Sequence, residues 1–284
     1  MSAVGRATFE GQAVLDALDA AGLARLGSSR QGRAILGAHF GATPAPDRVF
    51  SVGASSTDSA PRLLFVGGVH GDEPSSVEAL LEFSSRLSSA PPQGASVLIV
   101  PALNPDGLLL RRKNAASDVD LNRNFRARNF SRQHAPGYDP GPWPLSEPET
   151  ALLAGIIDGQ AIDAVVAVHA PFACVNFDGP ALPWARMVAE ACGWPVREDI
   201  GYPTPGSLGS WLGTDRNIPV LTLELPPGPL DDFREMAAAA LDRACFGAPD
   251  FLRPKSPTTT ATTTATTKNA TTTARSTVNP PKIG

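Results

Sequence analysis

Ionisable side chains stand where apolar runs end, and their types could hold and activate a metal ion. His70 and Glu73 follow the run PRLLFVGGV, His169 follows AIDAVVAV, and Glu224 lies within the apolar run IPVLTLEL. Two imidazoles and a carboxylate are an established ligand set for catalytic zinc, which keeps a further position for water. The sequence therefore predicts His70, Glu73 and His169 as metal ligands. Glu224 is predicted as the general base that takes a proton from the attacking water.

Each of these residues also has a simpler interpretation. An exposed His70 beside Glu73 would suit the start of a helix, because a carboxylate there interacts favourably with the helix dipole. His169 could be a hydrogen-bonded core residue, and Glu224 could face water on an edge strand. The combination favours a metal site, since a carboxylate in an apolar strand is expensive to bury without a partner.

The other candidate ligands are less well placed. His39 lies within an early strand pattern and His134 in the polar loop SRQHAPGYD, so we interpret both as structural or incidental. Cys174 follows soon after His169 and is interpreted as a small buried hydrophobic residue.

The segment NPDGLLLRRKNAASDVDLNRNF is rich in hydrogen-bond donors and begins with a turn sequence, NPDG. Arg112, Asn122 and Arg123 bring guanidinium and amide groups into it. Arginine grips carboxylates in bidentate fashion and can stabilise a developing oxyanion. The alternative is a solvated basic loop, which fits Arg111 and Lys113.

The composition indicates one globular domain without affinity for nucleic acid. The chain has 284 residues, of which 42% are hydrophobic and 18% charged, enough for one substantial core. A formal net charge of −4 and a pI of about 5.6 argue against a phosphate-backbone partner. The apolar runs are shorter than the roughly 20 residues that span a bilayer, and the N-terminus lacks the apolar core of a signal peptide. Because the three cysteines include no closely spaced pair, we expect a reducing compartment, the cytoplasm.

Apolar runs alternate along the chain with helical patterns. Strands are predicted at 33–41, 61–69, 95–101, 161–168 and 218–225, and helices at about 10–24, 75–88, 147–158, 181–192 and 231–245. Most runs are continuous, which is typical of strands covered on both faces. The order predicts the α/β class, with a largely parallel or mixed sheet between helices. Ligands of such sheets bind beyond the carboxyl ends of the strands, where His70 and His169 fall.

The composition changes sharply after Leu252. Residues 254–284 are rich in threonine and include no aromatic or acidic residue. Such a segment buries too little apolar surface to offset its ordering entropy, so we expect a disordered tail. The predicted organisation is a catalytic domain at 1–253 followed by this tail.

Taken together, the motifs resemble those of the zinc carboxypeptidase family. HGDE, NPDG with DLNRNF, a strand-end His169 and LELP follow one another in that family's order, and SRQGRAI is similar to its early strand. The resemblance runs from about Gly27 to Phe246. Within the family the chain is similar to the bacterial murein peptide amidase A group, which hydrolyses the bond between γ-D-glutamate and meso-diaminopimelate.

The resemblance implies a fold and a metal. The fold is a three-layer α/β/α sandwich around a mixed, mostly parallel eight-stranded sheet. One zinc ion per chain would be held by the three ligands predicted above, with Glu224 as the base. A cis peptide is expected at the Ala170-Pro171 bond, where proline lowers the cost of the cis form.

The resemblance also assigns substrate contacts. Asn122 and Arg123 would clasp the free carboxylate of the substrate's C-terminal residue. Arg112 would polarise the scissile carbonyl, with Arg111 as the alternative because the stretch before DLNRNF is slightly longer than in the family. Tyr202, in GYPTPGSLGSW, would be the mobile tyrosine near the leaving group.

The expected function is zinc-dependent hydrolysis of a small murein peptide in cell-wall recycling, without a nucleic-acid or membrane partner. A desuccinylase or aspartoacylase-like deacylase is the alternative enzyme, because that group also has a His-x-x-Glu site and an Asn-Arg pair. The NPDG turn and the LELP strand favour the peptidase. Outside enzymes, the alternatives are a binding module, against which the full ligand set with Glu224 argues, and an interaction protein tethered by the tail.

Overall fold

A mixed sheet of eight strands organises residues 3–41 and 60–252, which are the residues that the computed structural model describes. The strands are β1 (Ala24–Ser28), β2 (Ala34–Gly41), β3 (Arg62–Val66), β4 (Ser96–Val100), β5 (Ala164–His169), β6 (Cys174–Asp178), β7 (Val196–Arg197) and β8 (Val220–Glu224). Across the sheet they lie in the order β1-β2-β4-β3-β5-β8-β6-β7. The predicted threonine-rich tail, residues 254–284, lies outside the described residues.

The central strands run parallel, and the sheet turns antiparallel at both flanks. β4, β3, β5 and β8 pair in parallel, whereas β2 pairs antiparallel with β4 and β6 pairs antiparallel with β8. β3, β4 and β5 are buried at every position, as their continuous apolar sequences predict. The prediction of a mixed, mostly parallel eight-stranded sheet is confirmed.

Helices cover both faces of this sheet. They are α1 (Ala3–Ala20), α2 (Pro74–Ser89), α3 (Pro105–Leu110), α4 (Pro148–Gly159), α5 (Leu182–Cys192) and α6 (Arg234–Leu252). α2, α5 and α6 pack on one face through buried side chains such as Phe83, Trp184 and Leu241. α4 packs on the other face through Leu153 and Ile157, which confirms the three-layer arrangement. None of the helices in the described residues is long and apolar enough to cross a bilayer.

Local sequence explains where several helices begin. α2, α3 and α4 have proline in the first turn, where its missing N–H costs no hydrogen bond. Asn104 caps α3, since its Oδ1 accepts a hydrogen bond from Gly107 N at 2.9 Å. The NPDG stretch, predicted as a turn, is therefore the start of a short helix.

Some elements differ from the sequence prediction. β1, β6 and β7 are absent from the predicted set, because they are short, partly exposed and carry polar residues in place of a continuous apolar run. The helix predicted to reach residue 24 ends at Ala20. Gly22 turns the chain there with a left-handed conformation (φ 67°), and β1 then begins at Ala24.

Candidate metal centre and active site

Three adjacent parallel strands bring the predicted ligands to one edge of the sheet. β3 and β8 flank β5 and run parallel to it, so the carboxyl ends of the three strands meet. His169 ends β5 and pairs in register with Glu224, which ends β8. His70 and Glu73 lie in the turn between β3 and α2. The fold thus gathers side chains from distant parts of the chain.

The HGDE turn packs against the segment that begins with the NPDG motif and is hydrogen-bonded to it. A Cβ atom on Gly71 would lie 2.0 Å from the backbone carbon of Gly107, so this close approach requires glycine. Gly71 N donates to Lys113 O at 3.2 Å, and Asn104 Nδ2 donates to the same oxygen at 3.3 Å. The NPDG segment therefore supports the turn that carries two of the candidate ligands.

Glu73 lies between the two imidazoles. His70 Nδ1 is 2.7 Å from Glu73 Oε1, and His169 Nδ1 is 3.0 Å from Glu73 Oε2. The centroids of the histidine rings are 4.9 Å apart. One ligand atom from each of the three residues lies within 4.8 Å of the others, so the group could hold a metal ion. We call these three residues the metal cluster. Its histidines are buried and Glu73 is partly buried.

The second ring nitrogen of His70 has its own partner. His70 Nε2 lies 3.2 Å from Asp120 Oδ1, and that oxygen also accepts a hydrogen bond from Asn122 N. Metal-ligating histidines commonly donate their other N–H to a carboxylate, which fixes the tautomer and the ring orientation. Asp120 fits that role. The sequence prediction omits Asp120, although its place at the start of DLNRNF was an available signal.

Charge coupling shifts the pKa values within the metal cluster. Burial acts to lower the pKa of His70, but the charge of Glu73 and hydrogen bonds to Asp120 and Glu73 raise it to about 10. Burial acts to raise the pKa of Glu73, but the charges of His70 and His169 lower it to about 2. Glu73 is therefore ionised near neutral pH, and a metal ion binding here would displace the proton of His70.

Glu224 has a carboxylate oxygen without a partner. The residue is 5% exposed, and Oε2 has no hydrogen-bond partner among the described residues. Burial raises the pKa of Glu224, with the charge of His169 acting in the opposite direction. An orphaned buried acceptor is unfavourable unless a ligand or water completes it. This oxygen and the His₂Glu donor set together fit a bound cation with a water molecule between them.

A cavity of about 510 Å³ opens at the metal cluster and contains the predicted substrate contacts. Asn122, Arg123 and Tyr202 all line it. Arg123 is 4% exposed, and its guanidinium lies 5.3 Å from the Tyr138 ring centroid and 5.9 Å from that of Tyr202. Asn122 Oδ1 accepts a hydrogen bond from Leu208 N at 3.1 Å, which leaves the NH₂ group as the donor for a ligand. The two neighbouring donors suit a carboxylate.

Lys113, not Arg112, is the basic residue beside the metal cluster. The Arg112 side chain is half exposed and pairs with Asp118 at 2.9 Å, so the structure does not place it at the cavity as predicted. Lys113 lines the cavity, with Nζ 2.8 Å from Asp120 Oδ2. The left-handed conformation of Arg111 (φ 52°) ends α3 and redirects the chain before Arg112. Lys113, which fitted the alternative of a solvated basic loop, thus lies in a loop but at the wall of the cavity.

A second cavity, of about 1010 Å³, also reaches the metal cluster. Residues of α1, the turn before α2 and residues 226–229 line it, together with Arg111. The Ala170-Pro171 bond is cis, as predicted, and both residues form part of the wall. Because His70 and Glu73 line both cavities, a ligand at the cluster has room to extend in two directions.

The other predicted alternatives lie outside the cluster. His39 is exposed on β2, and His134 is exposed in a loop, with Nδ1 3.0 Å from Ala135 O. Cys174 is fully buried and pairs in register opposite Glu224. Within residues 3–41 and 60–252, no second group of histidine, cysteine and carboxylate side chains has the spacing to hold a metal ion.

Known proteins are similar to this chain in sequence. A model of the zinc carboxypeptidase family matches residues 15–185. Murein peptide amidase A of Escherichia coli (strain K12) is 35% identical over 221 residues, which cover 74% of this chain and 85% of that protein. Murein peptide amidase A of Vibrio campbellii is 32% identical over 209 residues, covering 69% of this chain and 78% of that protein.

Solved structures share the fold. The crystal structure of murein-tripeptide amidase from Escherichia coli O157 matches with a TM-score of 0.56 at 31% identity, covering 83% of this chain and 94% of that one. Carboxypeptidase A from Helicoverpa armigera matches with a TM-score of 0.63, covering 84% of this chain and 71% of that one. At 16% sequence identity, this second match shows a shared fold and nothing more.

Proposed function

The chain belongs to the zinc carboxypeptidase family, and from this premise we propose that it hydrolyses the amide bond between γ-D-glutamate and meso-diaminopimelate in small murein peptides. Membership makes it a hydrolase of peptide or amide bonds. One observation carries the proposal. The metal cluster converges beside the unpartnered Oε2 atom of Glu224, in a cavity that also holds Asn122 and Arg123.

We propose one zinc ion per chain, held by His70, Glu73 and His169. Two imidazoles and a carboxylate match the ligands that catalytic zinc takes in proteins. When bound, zinc lowers the pKa of water toward about 7 and polarises a carbonyl group. Asp120 would hold the His70 ring in the required orientation and tautomer.

Glu224 would serve as the general base. Its carboxylate would accept a proton from the attacking water, and the carboxyl group would then return the proton to the departing amine. The raised pKa of Glu224 suits this exchange, because a base whose pKa lies nearer neutrality is better matched to the working pH. Burial also raises the pKa of Tyr202, so its hydroxyl stays protonated and could donate to the leaving group.

Asn122 and Arg123 would bind the free carboxylate of the departing residue. A guanidinium and an amide NH₂ group can donate to both carboxylate oxygens. Lys113 would stabilise negative charge on the scissile carbonyl oxygen, because its ammonium lies next to the metal cluster. The role that the family resemblance gives to Arg112 thereby passes to its neighbour.

The relatives and the cavities support a murein peptide as the substrate. The similar proteins are named for that substrate, and two cavities meeting at the cluster suit residues on both sides of the scissile bond. A deacylase for N-acyl amino acids needs room for only a short acyl group on one side. The second cavity therefore favours the peptidase over the desuccinylase or aspartoacylase-like alternative. We place the reaction in murein recycling in the cytoplasm, which the free, buried cysteines support.

The test is incubation of L-Ala-γ-D-Glu-meso-diaminopimelate with the zinc-loaded protein, followed by mass spectrometry. We expect L-Ala-D-Glu and free meso-diaminopimelate. Glu224→Gln is the matched variant, since it should keep its zinc while turnover falls by roughly 10²- to 10⁴-fold, the usual contribution of a general base. Full activity in that variant would remove Glu224 from its role. An intact tripeptide alongside cleaved N-acyl amino acids would establish the deacylase instead.

A further inference from the structure

The aromatic ring of Tyr138 lies against the ammonium group of Lys113. Lys113 Nζ is 3.5 Å from the centroid of that ring. The same atom lies 2.8 Å from Asp120 Oδ2 and donates a hydrogen bond to Gly137 O at 3.3 Å. An ammonium group has three N–H donors, so a carboxylate, a carbonyl and a ring face together define its position.

The choice of lysine at this position stands out in the sequence. Lys113 is the single lysine among residues 1–253, where every other strongly basic side chain is an arginine. Lysine carries a compact point charge on a flexible four-carbon stem, whereas the guanidinium of arginine is wide and planar. The compact group suits a space between a carboxylate and a ring, but the stem alone does not fix where the charge lies. Neighbouring groups must therefore hold it.

The loop that carries the Tyr138 ring is bonded to the segment that carries the carboxylate. Asp120 N donates a hydrogen bond to Asp139 O at 2.8 Å, and Tyr138 N donates to Ala135 O at 3.1 Å. The first bond joins the backbone of Asp120 to the residue that follows Tyr138. The two side chains in contact with the ammonium of Lys113 are therefore fixed relative to each other.

The Tyr138 ring is packed among the side chains that line the active site. It is half-buried and lines the second cavity. Its centroid lies 5.3 Å from the guanidinium carbon of Arg123 and 6.0 Å from the centroid of the Tyr202 ring. A ring with neighbours on several sides has little freedom to turn, so it can restrict the flexible side chain of Lys113.

A ring face holds a cation differently from a second carboxylate. The face of an aromatic ring attracts a cation through its quadrupole and carries no net charge. A second carboxylate would neutralise more of the ammonium and would compete with a developing oxyanion for it. The combination of one carboxylate, Asp120, with one ring, Tyr138, therefore keeps the ammonium in place and leaves part of its charge for a ligand.

We propose that Tyr138 is a positioning residue, which holds the Lys113 ammonium beside the metal cluster so that it can stabilise negative charge on the scissile carbonyl oxygen. The inference rests on the proposed function, which gives Lys113 that role. A donor that is already in place stabilises a transition state best, because no reorganisation is needed during the reaction. Since Tyr138 acts through Lys113, removing the ring should affect catalysis only while the ammonium is present.

The kinetic test removes the ring in the presence and in the absence of Lys113. Tyr138→Leu should lower kcat on the murein tripeptide by roughly 5- to 30-fold, the effect of one partly buried cation–π contact, and change KM by less than about twofold. Tyr138→Phe keeps a ring and should stay within about threefold of the wild type. In a Lys113→Met background, Tyr138→Leu should have no further effect. Trp143→Leu is the matched control, because Trp143 is 62% exposed and lines neither cavity.

A measurement without substrate separates this inference from the proposed function. The chain has four lysines, three of them in residues 254–284, so isotopic labelling of lysine gives few ε-methylene signals in the NMR spectrum of the zinc-loaded, full-length protein. The Lys113 signal is assigned by its loss in Lys113→Met. We expect it upfield of the others because of the Tyr138 ring current, and we expect this shift to disappear in Tyr138→Leu. Tyr138→Met serves if the leucine variant does not fold.

Two results would overturn the inference. One is a Lys113 signal without an upfield shift in the wild-type protein. The other is an equal loss of kcat from Tyr138→Leu with and without Lys113, because the ring would then act by another route. If the wild-type protein does not cleave the tripeptide, the proposed function fails, and the NMR comparison alone decides whether Tyr138 holds Lys113.

Discussion

The pKa values of Glu73 and Glu224 are shifted in opposite directions, which suits these two carboxylates to different roles. Although burial acts to raise it, the charges of His70 and His169 lower the pKa of Glu73 to about 2. Burial raises the pKa of Glu224, which lacks such close pairing. A carboxylate that is always ionised suits a metal ligand, and one that exchanges a proton more easily suits a base.

Replacing Lys113 tests which basic residue serves the scissile carbonyl. Lys113→Met keeps an unbranched apolar side chain but removes the ammonium near Asp120. We expect kcat on the murein tripeptide to fall by roughly 10²- to 10³-fold, as when one oxyanion donor is lost. Steady-state kinetics measure this effect, with the zinc content of each preparation checked.

Arg112→Met is the control for that experiment. Because the Arg112 guanidinium is half exposed and pairs with Asp118, we expect its removal to change kcat by less than about twofold. A large loss in Arg112→Met with normal activity in Lys113→Met would return the role to Arg112.

The sequence alone was enough to predict that the candidate residues at strand ends lie at one edge of the sheet. His169 and Glu224 end buried parallel strands, and the edge at which such strands finish follows from topology. Lys113 could not be identified in this way, because the left-handed turn at Arg111 decides which neighbouring side chain faces the cavity.

At the scale of elements, α3 ties the early strands to the ligand turn. Asp106 in its first turn accepts hydrogen bonds from Ser29 Oγ at 2.9 Å and from Arg33 at 2.7 Å. Its neighbour Gly107 packs against Gly71 of the HGDE turn. The SRQGRAI and NPDG motifs therefore have a structural explanation, because both position the turn that carries the ligands.

Gly71→Ala should disrupt that packing. The added Cβ would lie 2.0 Å from the backbone carbon of Gly107, so the turn must shift. We expect a loss of roughly 1–3 kcal/mol in the free energy of unfolding, typical of overpacking, together with weaker zinc binding. Thermal unfolding and zinc titration measure the two effects.

Gly155→Ala provides the comparison for the glycine contact. Gly155 lies within α4, and a Cβ there would meet nothing within 4 Å. Alanine should be neutral or stabilise the helix by up to about 1 kcal/mol. Equal stability of the two variants would show that the Gly71–Gly107 contact is unimportant.

Only the central strands of the sheet could be predicted from the sequence pattern alone. Continuous apolar runs predicted the buried strands β3, β4, β5 and β8, because strands covered on both faces need little polar sequence. The edge strands β1 and β7 are short and partly exposed, so their pairing depends on neighbours that periodicity does not reveal. The number of strands came from the family resemblance and not from local pattern, and their order across the sheet was not predicted.

At the scale of the molecule, the reactivity of the three cysteine thiols shows whether the core is folded. Cys174, Cys192 and Cys245 are free and buried. Burial raises the pKa of Cys174 to about 11 and that of Cys245 to about 12, with nearby carboxylates adding to both shifts. At pH 8 the thiolate fraction of these two is on the order of 10⁻³ or less.

Iodoacetamide at pH 8 should therefore leave the folded protein unmodified and label all three cysteines once urea has unfolded it. Mass spectrometry of the intact chain counts the added groups. Rapid labelling of Cys174 or Cys245 without denaturant would contradict the burial of these residues.

Residues 254–284 lie outside the described residues and are still predicted to form a disordered tail. The described residues that line both cavities and form the metal cluster all precede this segment. A chain that ends at residue 253 should therefore keep kcat/KM on the tripeptide within about twofold of the full-length value. A larger loss on truncation would mean that the tail takes part in catalysis.

Anomalous diffraction at the zinc absorption edge, from crystals of the zinc-loaded protein, tests the central claim most directly. We predict one strong peak per chain, about 2.0–2.1 Å from the Nδ1 atoms of His70 and His169 and bound to Glu73. Glu224 should lie beside the ion without binding it. A peak elsewhere, or a cluster without a peak in fully zinc-loaded crystals, would contradict the assignment of these three residues as the metal ligands.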